Sequence, residues 1–75
     1  MDHMVELDIE KYLENGKLIV KETCKRELTD EQLTVLTKDI LLALNMYGGD
    51  FADANIVEMT KQYMRSGGID RCLKI

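Results

Sequence analysis

Apolar residues in the middle of the chain recur at spacings of three and four, which puts them on one side of a helix. The members of this stripe are Leu33, Leu36, Ile40 and Leu44. Just before it, Thr29 and Gln32 have the spacing of a capping box, in which each side chain accepts a hydrogen bond from the other residue's backbone amide. Two glycines at positions 48 and 49 follow the stripe and favour helix termination. The pattern therefore predicts a helix over residues 30–46.

A second amphipathic stripe, nearer the carboxyl end, consists of Ile56, Met59, Tyr63 and Met64. Asp53 and Asn55 compete as the N-cap of this helix, since each has a side-chain oxygen that can accept a hydrogen bond from an unpaired backbone amide. The segment Ser66-Gly67-Gly68 predicts the end of the helix. Residues 69–75 are predicted either to pack as an extended tail or to form a last helical turn.

The first third of the chain has two competing patterns. Asn15-Gly16 between apolar positions is a strong β-hairpin signal. Alternation that suits two strands is present at Val5, Leu7, Ile9, Leu18 and Val20. Helical spacing is present at Ile9, Tyr12, Leu13, Ile19, Val20, Thr23 and Cys24. We prefer the helical interpretation because Lys, Glu and Leu, which are good helix formers, dominate this segment. Glycine costs about 1 kcal/mol inside a helix, so two helical pieces are expected to meet near Gly16.

These elements predict an all-α fold, a small bundle of three or four short helices. The alternative is an N-terminal β-hairpin followed by two helices. A chain of 75 residues is expected to form one domain, here residues 1–75. Residues 1–4 are predicted to be disordered or to come from an expression tag.

The charge and the cysteine content limit the partners and the cellular compartments that suit this protein. The chain has 10 Lys and Arg against 14 Asp and Glu, a net charge of −4, which disfavours nucleic acid and anionic membranes as partners. The longest apolar run, residues 40–44, is too short to span a bilayer. Cys24 and Cys72 are expected to be free thiols in a reducing compartment, which predicts a cytoplasmic protein.

Catalytic and metal-binding chemistry has little support in the sequence. The sole histidine, His3, lies in the predicted disordered end, so neither a Ser–His nor a Cys–His pair is expected. Cys24 is predicted to be a buried or half-buried apolar residue. The oxygen-bearing residues at positions 50, 53, 55 and 58 do not follow the register of a calcium loop. We therefore predict a non-catalytic protein with no cofactor and no metal.

The predicted central helix is apolar on every side over residues 40–44, so we expect it to be buried on every side. Either the tail folds over it, with Ile69, Leu73 and Ile75, or another protein or a second copy covers it. The sequence thus predicts a protein–protein interaction or regulatory module, and its size and composition suit an accessory protein of a bacterium or phage. The predicted contact face consists of Leu41, Leu42, Met46 and Tyr47, with Phe51, Tyr63 and Met64 as neighbours.

Two alternative functions use charge. A nucleic-acid-associated regulator would use a basic patch formed by Lys17, Lys21, Lys25 and Arg26. A charge-mimic inhibitor would present clustered acids to a basic groove on an enzyme. The sequence favours neither over the protein-binding module.

Overall fold

The computed structural model describes the backbone of residues 9–46 and 51–73, and the side chains of residues 10–46 and 51–70. This part of the chain forms four helices: α1 (Ile9–Cys24), α2 (Asp30–Met46), α3 (Asp53–Arg65) and α4 (Gly68–Leu73). The predicted all-α bundle is confirmed. The predictions for residues 1–4 and Tyr47, and for the side chains of Cys72, Leu73 and Ile75, lie outside the described residues.

The α1 helix runs through Gly16 without interruption, so the predicted break there is wrong, and the hairpin alternative has no support. Gly16 is buried against α2. A Cβ atom at this position would lie 2.9 Å from Thr37 Cγ2. Gly16 therefore allows α1 and α2 to approach closely, and the packing of α1 against α2 outweighs the low helix propensity of glycine.

The α2 helix has the predicted bounds, and both hydrogen bonds of its capping box are present. The backbone amide of Gln32 donates to Thr29 Oγ1 at 3.1 Å, and the amide of Thr29 donates to Gln32 Oε1 at 3.0 Å. These bonds fix the point at which the chain enters the helix.

The α3 helix ends as predicted but starts differently. Its N-cap is Ala52, so the predictions of Asp53 or Asn55 as the capping residue are wrong. Asp53 Oδ1 instead accepts a hydrogen bond from Asn15 Nδ2 at 3.0 Å and links α3 to α1. At the other end Gly67 has a φ of +84°, a left-handed conformation that glycine adopts without strain.

The tail forms α4, which is the helical alternative of the sequence prediction. Gly68 begins this helix directly against the ring of Tyr63, and Ile69 is only 3% exposed. The helix packs against both α2 and α3. The described part of the tail therefore covers one side of α2.

One apolar core joins all four helices, and α2 supplies five of the nine buried apolar residues that the described part of the chain contributes. The core consists of Val20, Cys24, Leu33, Leu36, Ile40, Leu41, Leu44, Ile56 and Ile69. Cys24 is buried in this core, as predicted for a small apolar residue. The residues of α2 that other molecules can reach are its exposed ones, which include Lys38, Asp39, Leu42 and Met46.

Candidate interaction surfaces

The outer edge of α2 presents two large apolar side chains. Leu42 is 46% exposed and Met46 is 81% exposed. They are four residues apart on one helix, so they lie on the same face on consecutive turns. We call this pair the α2 edge.

The other residues of the predicted contact face lie elsewhere. Leu41 is fully buried and therefore cannot reach a partner in this conformation. Phe51 is half-buried and stacks on Tyr12, with ring centroids 4.7 Å apart. Tyr63 is half-buried, and its hydroxyl donates a hydrogen bond to Asp39 Oδ2 at 2.8 Å. Met64 is half-buried against the core.

One exposed apolar residue was missed by the sequence interpretation. Leu18 on α1 is 66% exposed, more than Leu42. The signal was available, because Leu18 falls off the helical stripe of α1 and instead fitted the strand alternation. The structure thus provides a second exposed leucine on another helix, with which the α2 edge can be compared.

Two of the four predicted basic-patch residues are engaged with acids. Lys17 Nζ lies 2.9 Å from Asp30 Oδ1, and this hydrogen bond raises the pKa of Lys17 above its ordinary value of 10.5. Arg26 Nη1 lies 3.8 Å from Asp70 Oδ1. Lys21 and Lys25 are exposed, and Lys25 has a φ of +55°, which is unusual for a residue with a side chain. The patch therefore offers a phosphate backbone fewer unpaired cations than its sequence indicates.

The connection between α1 and α2 forms an open groove with a volume of about 600 Å³, which lies in the size range of small-molecule sites. We call it the turn groove. Its lining consists of Lys21, Arg26, Glu27, Leu28, Thr29, Asp30 and Leu33. It combines an apolar floor with charges of both signs.

Acidic residues are spread over all four helices. Several are held by partners within the protein: Asp30 by Lys17, Asp53 by Asn15, Asp39 by Tyr63 and Asp70 by Arg26. A charge mimic needs its carboxylates gathered on one face, and this distribution does not favour that function.

Within the described residues, no group of three or more His, Cys, Asp or Glu side chains is arranged to hold a metal ion. None of the helices described above has both the length and the apolar character required to cross a bilayer. Comparison of the chain with protein-family models, with curated proteins and with solved structures finds no match. Functional inference therefore depends on the surfaces themselves.

Proposed function

We propose that this protein is a small, non-catalytic interaction module that binds another protein through the α2 edge. The observation that carries the proposal is the outward position of Leu42 and Met46 on the helix that supplies most of the core. Two adjacent exposed apolar side chains on a rigid helix give contact area without the entropy cost of ordering a loop. Methionine also adapts its shape to different partners.

A partner of different sequence is better supported than an obligate homodimer. Nine apolar residues in the described part of the chain already pack together in one core, which favours folding without a second copy. A stable interface buries about 800 Å² per partner, which two side chains on one helix do not supply. The α2 edge therefore suits a transient contact. We further propose a cytoplasmic setting, because two cysteines are too few for the disulfide-dense framework that is usual in small secreted domains.

The first test is the mass in solution, measured by light scattering behind a sizing column at two protein concentrations. A mass near 8.6 kDa at both concentrations is expected for a module that is monomeric in the absence of its partner protein. A stable mass of twice that value would contradict the preference for a heterologous partner.

A variant pair then tests the α2 edge directly. Leu42→Glu puts a charge on the proposed contact, while Leu18→Glu makes the same change on an exposed leucine of α1. Both variants should fold, because each position is already solvent-accessible. Cross-linked partners recovered from cells should be lost with Leu42→Glu and retained with Leu18→Glu. Equal recovery with both variants would contradict the proposal.

A further inference from the structure

The pair Asn15-Gly16, in the middle of α1, is chemically the most reactive amide pair of the chain. In an Asn-Gly pair the backbone nitrogen of the glycine can attack the side-chain carbonyl carbon of the asparagine, because glycine has no side chain that blocks the approach. The other two asparagines, Asn45 and Asn55, each precede a large apolar residue that hinders the same attack. Asn15 is therefore the asparagine best suited to spontaneous deamidation.

The packing of α1 explains why a glycine follows Asn15. A Cβ atom at position 16 would lie 2.9 Å from Thr37 Cγ2 on α2, so a larger residue would press on the neighbouring helix. The close contact between α1 and α2 therefore depends on the same glycine that makes Asn15 labile.

The folded α1 helix restrains this reaction. Gly16 lies inside a continuous helix, where a backbone N–H donates to the carbonyl one turn earlier and is not free to react. The side chain of Asn15 is engaged as well, because its Nδ2 donates a hydrogen bond to Asp53 Oδ1, 3.0 Å away on α3. A helix of 16 residues with a central glycine is marginal by itself, which favours local opening. The reaction should therefore proceed from molecules in which α1 has opened.

We propose that Asn15 is a site of spontaneous deamidation and that the product weakens the contact between α1 and α3. The Gly16 nitrogen loses its proton to hydroxide and forms a bond to Asn15 Cγ, while the bond from Cγ to Nδ2 breaks and ammonia leaves with a proton from water. Water then opens the resulting five-membered imide at either of its two carbonyls. The products are an aspartate at position 15 and an isoaspartate, in which the main chain runs through the former side chain.

Both products replace a hydrogen-bond donor by a negative charge. In the aspartate product, a carboxylate oxygen takes the place of Nδ2, 3.0 Å from Asp53 Oδ1, so like charges face each other where α1 and α3 were linked. The isoaspartate product also adds a methylene group to the main chain, which interrupts the regular spacing of the helix. The reaction needs no partner and does not involve the α2 edge.

The experiment is an incubation of the full chain in mildly alkaline buffer, with and without urea, followed by trypsin digestion and mass spectrometry. Trypsin releases residues 12–17, which include Asn15 and neither of the other asparagines. In urea this peptide should deamidate first, with Asn45 and Asn55 as controls in the same sample. Without urea the rate at Asn15 should fall about tenfold or more, because only molecules with an open α1 react. An Asn15 that reacts no faster than the controls, or equal rates with and without urea, would overturn the inference.

Gly16→Ala tests whether the glycine is the cause. In urea, where the fold plays no part, this change should lower the rate at Asn15 to the rate at Asn45, since alanine has a side chain that hinders the attack. An unchanged rate at Asn15 would contradict the proposed reaction.

A second set of variants tests the consequence for the fold. Asn15→Asp carries the carboxylate of one product and should lower the urea midpoint by about 0.5 M, because a hydrogen bond is lost and like charges face each other. In an Asp53→Asn background the same change should cost much less, since the new amide can donate to the new carboxylate. Equal losses in the two backgrounds would overturn the proposed repulsion between α1 and α3.

Discussion

Two pairs of helices in this protein come together at a glycine, and the neighbours that the two glycines contact differ. At the α1–α2 contact, Gly16 faces a methyl group, Thr37 Cγ2. At the α3–α4 contact, Gly68 faces the aromatic ring of Tyr63, whose atoms would lie within 2.8 Å of an added Cβ. Both glycines remove a side chain where helices are closest, but only one of them faces a rigid group.

The freedom of the neighbouring side chain separates the two contacts. Thr37 Oγ1 is buried without a hydrogen-bond partner among the described residues, so packing alone sets its rotamer. Tyr63 is held at its far end by the 2.8 Å hydrogen bond from its hydroxyl to Asp39. A side chain held at both ends moves aside for an added methyl group less readily than a short side chain whose hydroxyl makes no hydrogen bond. The α3–α4 contact should therefore tolerate change less well.

The largest effect is expected for Gly68→Ala. The added methyl group overlaps the ring of Tyr63, and overpacking of this kind costs about 1–3 kcal/mol. We expect the upper part of that range for the free energy of unfolding, measured by urea denaturation. In a Tyr63→Ala background the same change should cost far less, since the clashing ring is gone. Additive losses in the double variant would show that the ring is not the cause.

A smaller effect is expected for Gly16→Ala. Replacing a mid-helix glycine by alanine gains about 1 kcal/mol of helix propensity, which offsets much of the cost of pushing Thr37 Cγ2 aside. The net loss in urea denaturation should stay below about 1 kcal/mol. Thr37→Ser removes the methyl group, so Gly16→Ala should stabilise the protein in that background. A loss as large as that of Gly68→Ala would contradict the comparison.

The smallest effect concerns the Lys17–Asp30 ion pair, which links α1 to α2 beside the first of these contacts. The hydrogen bond to Asp30 raises the pKa of Lys17 above its ordinary value of 10.5. The stabilisation that this ion pair gives to the folded protein is therefore complete below pH 10.5 and is lost as the pH rises through the raised pKa. The difference in urea midpoint between the protein and Lys17→Met should shrink in that alkaline range. Lys61→Met is the control. A difference that stays constant with pH would show that the pair contributes no charge-dependent stability.

Sequence patterns predicted the parts of this fold that depend on local interactions. The bounds of α2 follow from Thr29, Gln32 and a regular apolar stripe, and the end of α3 follows from its glycines. The continuity of α1 was not predictable in this way. The reason for Gly16 lies on another helix, at Thr37, twenty-one positions along the chain.

The candidate surfaces were predictable only in part, for a similar reason. The exposure of Leu42 and Met46 followed from an excess of apolar residues on α2, but the same excess also includes Leu41, which is buried. Which of these neighbouring leucines is buried depends on how the other three helices pack against α2. The turn groove depends on how two helices meet, so no spacing within either helix indicates it.

The glycine in the middle of α1 also has a consequence for the order of folding events. An isolated helix of 16 residues is marginal in water, and a central glycine weakens it further. The α2 helix has its own capping box and its own row of leucines, so it is the better candidate for early structure. We infer that α1 becomes helical by docking onto α2, which acts as its template. The protection of the α1 amides from hydrogen exchange should then report the stability of the α1–α2 contact and not that of the α1 helix itself.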